Sequence, residues 1–583
     1  MKMRLFYVVA LLMGVYSLHT NGQTLSFQWS RQFDAYGLKN VTKAVAADKN
    51  GNVYTAGWSQ HGSASDEDYV ISKYNSAGTR KWTTTWNPGT IDEPASIAVS
   101  GGWVYVTGKT KQGSYYTIGT TKLDTTSGNL PQGQGWPEIY PATANVVGTV
   151  VKIGQAGDVF VAGTVYNAAS PYADYIVLKY PSAGGSTYTQ YTRDVSLAGS
   201  LDTLVDMALG ANDSVYITGS TTTAGNENYC TIKLTNGLAE KWLRQYDYTG
   251  VSNGYDCPSR VLVDRSLNVI VTGVSYAGGP WYPDDDIVTI KYNTGGTQLY
   301  AARQTENVYW SWESAADMAL DSNNNIYITG SVGYFRGGPG GLITMKYDTT
   351  LTQKWYTRSL GALSSPALAR NIAVDAGGNN TYSVAQIFCF VAPIWTTNKD
   401  IFITHYDATG HVLDGIRFDG SFGDGGVYGP KDSATSIATD GSNGDIFVGG
   451  TTTSTLDTNQ GLYGIVLKVS AGTAFRSSAA FLSVGPQNTL VVPGNYKLSQ
   501  NYPNPFNPST KISFTLPSAS SISLKVYDIT GREVESLANN EYFSAGTHEI
   551  RFEGSNHASG VYFYRLFSAD GKFNMVKKMV LMK

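Results

Sequence analysis

Cysteine and histidine are scarce in this chain, and the familiar catalytic signatures are missing. Its 583 residues include 3 cysteines and 6 histidines. Cys230, Cys257 and Cys389 show no regular spacing, which excludes a disulfide framework. A single Cys230–Cys257 bridge stays open, although Cys230 stands where sibling repeats carry Val or Thr and reads as a small buried hydrophobe. His61, His405, His411, His548 and His557 are scattered without metal-ligand spacing. No G-x-S-x-G, H-E-x-x-H or P-loop occurs, so neither a hydrolase triad nor a bound metal or cofactor is expected. Charged residues make up 15% and the net charge is −3, which gives no basic face for nucleic acid. Long apolar runs are confined to the N-terminus. There Lys2 and Arg4 precede Leu5 to Val15, too short a run to span a bilayer. With Thr20-Asn21-Gly22 as the cleavage region, residues 1–22 are expected to be a signal peptide. No Cys follows for a lipid anchor, and no other transmembrane candidate occurs.

Glycine (64) and tyrosine (40) are abundant, a composition suited to many short strands joined by tight turns. One phrase recurs: an apolar strand, a turn rich in Asp, Asn and Gly, then a strand ending in Gly. Its copies include AVAADKNGNVYTAG (44–57), MALGANDSVYITG (207–219), MALDSNNNIYITG (318–330) and IATDGSNGDIFVGG (437–450). The closing Gly falls at 57, 108, 163, 219, 273, 330 and 450, with Ala385 in the seventh copy. A second phrase such as DYVISKY (68–74) follows each copy, and a third such as EKWLRQYD (240–247) follows most. Each unit therefore holds four short strands, the period of a β-propeller blade. The last unit lacks its fourth strand, but FQWSRQFD (27–34) matches KWLRQYD. An N-terminal outer strand would close the ring and remove free sheet edges, which an open solenoid would not need. The expected fold is all-β: an eight-bladed propeller over 23–470, a linker over 471–495, and a small β-sandwich over 496–583. The units resemble the bacterial β-propeller repeat family that reads D-x-x-G-N-x-Y-x-x-G. That resemblance implies an extracytoplasmic setting and no particular reaction.

Residues repeated in every unit are expected to be architecture. Asp48, Asp264, Asp321, Asp375 and Asp440 open the turn without the Glu a Ca²⁺ loop requires, and read as Asx turns. Lys73, Lys122, Lys179, Lys233, Lys291, Lys346 and Lys468 share one register, with His405 in the seventh unit. Their stems should cover apolar surface while the ammonium pairs with a local carboxylate. Asn40, Asp92, Asp202, Asp256, Glu313 and Asp432 open the innermost strand and should fix the incoming loop. Val146 and Ala367 break that ring, which argues against a cation site.

Non-repeated residues are not demanded by the fold. The loops after residues 273 and 304 carry Tyr276, Trp281, Tyr282, Asp284, Asp286, Tyr309, Trp310, Trp312 and Glu313, with Asp285, Tyr334 and Phe335 nearby. Aromatics beside carboxylates suit sugar stacking or a protein hot spot. A glycosidase would need two carboxylates at a defined separation, which sequence does not provide.

After the linker a different pattern starts with NYPNPFNPSTKISFTLP (501–517), whose prolines enforce extended backbone. About seven alternating strands follow, with Asp570-Gly571 as a hairpin turn. Four groups of residues carry a resemblance to the type A C-terminal sorting domain of the type IX secretion system. They are Tyr502, Pro503, Asn504, Pro505, Phe506, Asn507 and Pro508; Tyr527, Asp528, Gly531 and Arg532; Gly546, Gly560 and Tyr562; and Lys577 with Lys578. The resemblance implies a Gram-negative bacterium of the Bacteroidetes–Chlorobi kind, an outer-membrane translocon as partner, and a cargo released or held at the surface. The expected function is a secreted or surface propeller that binds a glycan or protein without catalysis. The alternatives are a carbohydrate-active enzyme using mouth carboxylates and a structural surface-layer protein.

Overall fold

The computed structural model describes residues 24–33, 39–62, 66–132, 135–166, 172–185, 187–195, 200–223, 226–248, 254–276, 285–305, 311–334, 341–359, 367–391, 396–418, 432–439, 445–453, 462–472, 496–516, 520–543, 546–568 and 573–582. The expected signal peptide, residues 473–495 of the expected linker and Asp440 lie outside them, whereas Ala471 and Gly472 belong to the last repeat strand. The described residues are all-β, with 3-10 turns at Ala211–Asp213 and Gly554–Asn556 and no α-helix. They divide into two compact units, within 1–486 and 487–583.

Alternating β-branched and aromatic residues fit a pleated, half-buried surface, and each repeat becomes a four-stranded antiparallel sheet. In the first unit Asn40–Ala47, Val53–Gln60, Glu67–Tyr74 and Arg80–Trp86 pair in that order. The second and third strands are buried almost throughout, and the fourth is largely exposed. The inner strands of the later units are Asp92–Ser100, Asn145–Ile153, Asp202–Leu209, Asp256–Val263, Ser311–Leu320, Ala367–Val374 and Ser433–Thr439. Units five and six are joined by one parallel bridge, Asp285 to Trp312.

A bulge explains the closing glycine. The inner strand shifts register at Pro94/Ser96 and at Pro258/Arg260 against its neighbour, and the other units do so at the equivalent place. The inner-strand backbone then crowds the second strand. A Cβ on Gly108 would lie 2.1 Å from the Glu93 carbonyl oxygen, and one on Gly273 2.1 Å from that of Cys257.

Among the described residues a recurring latch binds most units to the next. Lys73 Nζ and Trp82 Nε1 both donate to the Thr125 carbonyl of unit two, at 2.8 and 3.1 Å. Lys122 and Trp136 reach Ser182 in the same way (2.8 and 3.2 Å), and Lys233 and Trp242 reach Thr294 (2.9 and 3.1 Å). The indole also lies on a turn glycine. A Cβ on Gly128, whose φ is +74°, would sit 2.6 Å from the Trp82 ring. The Trp82 position is taken by Thr189 in unit three and Tyr300 in unit five. There the facing turns carry Leu238 and Leu351 instead of glycine. This corrects the expected role of the lysines. Their main acceptor is a carbonyl of the neighbouring unit, and carboxylate pairing is added only in some units, as at Lys179–Asp158 (3.0 Å) and Lys291–Asp264 (2.8 Å).

The N-terminal strand Thr24–Phe33 pairs antiparallel with Leu462–Gly472, as its fourth-strand motif predicts. It carries the same latch to unit one. Trp29 Nε1 and Lys468 Nζ both donate to the Ser76 carbonyl, at 3.0 and 3.1 Å, and Trp29 lies on Gly78. Between inner strands, Val151, Val261, Ile372 and Val45 donate backbone N–H groups to Ser96, Asp206, Asp317 and Ser436 at 3.0–3.3 Å. The last of these joins unit eight to unit one.

The second compact unit is a β-sandwich. One sheet orders Lys497–Leu498, Ser509–Leu516 and Gly546–Glu553. The other orders Glu533–Phe543, Ser520–Tyr527, Gly560–Ser568 and Asn574–Leu581. Phe506, Ile512, Phe514, Leu524, Val526, Phe552, Tyr564 and Leu566 fill its core.

Candidate functional site

The acids that open the inner strands are committed to the fold. Asp92 is fully buried, accepts the Gly89 N–H at 3.1 Å and takes a hydrogen bond from the Thr110 hydroxyl across the strand pair. Asp202 does the same with Val195 N (2.7 Å) and Thr221 (2.5 Å). Asp256 accepts the Tyr248 N–H at 3.0 Å opposite Ser275. Where the acid is replaced the hydroxyl goes too: Val146 faces Val165 and Ala367 faces Ile387. Burial pushes all three carboxyls up, Asp92 to about 6. The carboxylates of Asp174, Asp194 and Asp202 lie within 4.8 Å of one another. Asp202 there accepts hydrogen bonds from the Val195 N–H and the Thr221 hydroxyl. The turn aspartates behave as Asx residues; Asp48 Oδ1 accepts Asn50 N and Asn52 N at 2.9 and 3.0 Å. Cys230 and Cys257 are both free thiols, so the bridge left open by spacing is not formed.

Of the expected ligand face, Trp281, Tyr282, Asp284, Tyr309, Trp310 and Phe335 lie outside the described residues. Tyr276, Asp285 and Asp286 lie at the rim of units four and five, and Trp312 and Glu313 on the adjoining inner strand of unit six. Tyr276 stacks on Tyr255 with centroids 5.8 Å apart, and Tyr255 OH donates to Asp285 at 2.5 Å. Burial raises the Asp285 carboxyl despite that hydrogen bond. Asp286 is buried and paired with Arg303 Nη1 at 2.5 Å. Arg303 Nη2 donates to Ser275 Oγ at 2.6 Å, and its guanidinium lies 4.1 Å over the Tyr248 ring. Trp312 is half-buried beside Asp285, and Glu313 is fully buried. Tyr248 and Tyr255 remain 37% and 38% exposed, enough to offer ring faces to a ligand. Sequence reasoning missed Tyr248, Tyr255 and Arg303. The tyrosines sit in a loop without a repeat counterpart, and Arg303 resembles the ordinary polar residues of outer strands.

The sorting-domain motif is built into one edge. The Phe506 N–H donates to the Val580 carbonyl and the Met582 N–H to the Phe506 carbonyl, both at 2.9 Å. Asn504 Oδ1 accepts the Val580 N–H at 2.9 Å, so the proline-rich segment covers the lower edge of the last strand. Buried Asn501 ties Pro503 O (3.1 Å) to Thr510 (3.0 Å). Asp528 caps its turn through Thr530 N and Arg532 N, with Gly531 at φ +82°. Tyr562 OH donates to the Ala558 carbonyl at 2.7 Å beside Gly560. Tyr502, 82% exposed, and Lys577 and Lys578 on the last strand face solvent. Pro505, Asn507, Pro508, Tyr527 and Gly546 complete the two motif-bearing segments and the strand start.

A model of the secretion system C-terminal sorting domain matches residues 500–582, and a β-propeller repeat model matches residues 28–63. The chain thus carries a type IX sorting domain behind β-propeller repeats, and it is a secreted or cell-surface protein. No curated protein matches the chain. Among solved structures, Sqt1 of Chaetomium thermophilum, crystallised with the N-terminus of ribosomal protein L10, is 11% identical. It covers 76% of this chain and 98% of its own, with a TM-score of 0.43. PorZ, a surface component of the type IX system of Porphyromonas gingivalis, is 11% identical over 94% of this chain and 82% of its own (TM-score 0.25). The β-propeller domain of the Trilobed protease from Pyrococcus furiosus is 10% identical over 62% and 88% (TM-score 0.32). At these identities and scores the likenesses carry no functional inference.

Proposed function

We propose that the repeat units close into one ring, an eight-bladed β-propeller sealed by the N-terminal strand, and that the ring is a non-enzymatic binding module for a glycan or protein. The division is 1–22 signal peptide, 23–470 propeller, 471–495 linker and 496–583 sorting domain, the last being read by the type IX translocon. The repeated latch between consecutive units, including unit eight to unit one through Trp29 and Lys468, supports the ring.

One observation carries the binding reading: the exposed rings of Tyr248 and Tyr255 stand beside Asp285 and Arg303. Ring faces stack on sugar C–H surfaces or anchor a partner, and the fixed charges orient hydroxyls or amides. The expected face of Tyr276, Asp286, Trp312 and Glu313 belongs to this rim and the adjoining inner strand of unit six, and Trp281, Tyr282, Asp284, Tyr309 and Trp310 are placed in the rim's loops by sequence alone. A carbohydrate-active enzyme would need a second carboxylate at liberty to act. Asp286 is tied to Arg303, which weighs toward binding.

The mature full-length chain should retain glycans or proteins in glycan-array and pull-down screens. Replacing both Tyr248 and Tyr255 by Ala should abolish that retention. Unchanged retention in the double variant would overturn the rim assignment. Polysaccharide cleavage that disappears in Asp285→Asn would favour the enzymatic alternative.

A further inference from the structure

The inner strands of all the repeat units line one cavity of about 630 Å³, a size suited to a small ligand. Most of its wall is made of small or apolar side chains such as Leu262, Ala319, Ala373 and Ala438. Its charged lining residues are Lys43, Lys152, Asp206, Arg260 and Asp317. Arg260 lies between two buried aspartates, with Nε 2.8 Å from Asp317 and 3.6 Å from Asp206. Those aspartates also accept the Ile372 and Val261 N–H groups, so they are fixed by the frame. The guanidinium is therefore held by one edge. Its Nη1 and Nη2 donate no hydrogen bond to a described residue.

Lys152 lines the same cavity. Its ammonium makes no hydrogen bond and no ion pair with a described residue, and only the longer-range fields of Asp206, Arg260 and Asp317 act on it. Lys152 is half-buried, and the desolvation it does suffer lowers its pKa. A partly desolvated ammonium without an acceptor favours an anion beside it, and a buried carbonyl without a donor is costly. Asn371 Oδ1, also at the cavity, is buried and has no hydrogen-bond partner among the described residues. Lys152, Arg260 and the Asn371 amide oxygen thus face a space whose remaining wall includes Lys43, serine and threonine hydroxyls, and small or apolar side chains such as alanine and leucine.

We infer that this cavity binds a small hydroxylated organic anion, a sugar acid or hydroxy acid, with its carboxylate between Lys152 and Arg260. A hydroxyl donates to Asn371 Oδ1, and the carbon frame rests on the alanine and leucine side. The competing role for Lys152 is to balance the net negative charge of the Asp206–Arg260–Asp317 group without any ligand.

Isothermal titration of the mature full-length chain with D-glucuronate and D-galacturonate separates the two. D-glucose and inorganic phosphate serve as controls. Saturable uronate binding is expected, with none for glucose. Lys152→Met should weaken it at least about tenfold, the loss of a charge-assisted hydrogen bond. Lys152→Arg should retain it. Ala319→Leu, which fills the cavity and leaves every charge in place, should abolish it, and this variant decides the matter if Lys152→Met does not fold. Absence of saturable uronate binding to the native chain, or uronate binding that Ala319→Leu leaves intact, would overturn the inference. Phosphate binding as tight as uronate would overturn the sugar-acid assignment.

Discussion

Single carboxyls in this protein have opposite titration signs, set by which partners surround them. Burial holds Asp92 at about 6, above the unfolded value of about 3.9. Its contribution to stability is therefore full below about pH 4 and is lost as pH rises through about 6. An amide fits the same register, as Asn40 opposite Ser59 demonstrates in unit one. Asp92→Asn should accordingly melt progressively higher relative to the native chain as pH rises from about 4 to 7. A melting difference independent of pH would refute this. Asp264 has the reverse sign. Hydrogen bonds from Lys291 and Asn268 outweigh its burial and hold the carboxyl low, so its contribution is present above about pH 4 and is lost on acidification. Lys291 and Asp264 are 3% and 1% exposed, and Lys291→Met strands the carboxylate. That variant should lose about 3–5 kcal/mol in urea unfolding near neutral pH. Residue identity was legible in the repeat for both positions, and the Asx role of Asp264 with it. The signs were not, because they depend on neighbours such as Thr110 and Lys291 that spacing along the chain does not reveal.

The unit of cohesion between sheets is a pair, an indole on one outer strand and a left-handed glycine on the facing turn. Gly296 has φ +83°, and a Cβ there would meet the Trp242 ring at 2.8 Å. Gly296→Ala should cost about 1–3 kcal/mol from strain and clash together. Trp242→Ala should cost about 3–5 kcal/mol on its own. A double-mutant cycle should show the two losses to be less than additive by about 1 kcal/mol or more. Strict additivity would show that the contact is incidental. The strands themselves were legible from alternation and the closing glycine, and so was the N-terminal strand, because FQWSRQFD repeats KWLRQYD. The lysine acceptors were misread for a physical reason. A backbone carbonyl of the next unit has no residue signature, so a carboxylate looked the natural partner. In the hub, the signal that could have been used was a charge just before the apolar phrase, at Asp206, Arg260 and Asp317.

Over the whole molecule, two separable devices act at opposite ends of the chain. Removing residues 24–33 bares the edge of Leu462–Gly472 and breaks the latch to Ser76. Such a chain should melt lower and should self-associate in light scattering, since an uncovered strand edge pairs with other chains. An unchanged melting temperature and a monodisperse solution would contradict the sealing role. At the other end, deleting 496–583 should leave the repeat region in the periplasm on cell fractionation. Efficient export without that segment would show that the address lies elsewhere. The rim aromatics were only partly legible, because loops without repeat counterparts carry no internal copy against which to align them.

The pairing of Thr24–Phe33 with Leu462–Gly472 also sets a clock. During N-terminal-first delivery across a membrane, the earliest strand to arrive must wait for the latest before it finds its place. On the proposed ring, every intermediate until then is an open strip with a lone strand at its head. Threading is permitted for as long as delivery lasts, and rigidity arrives in the final moments.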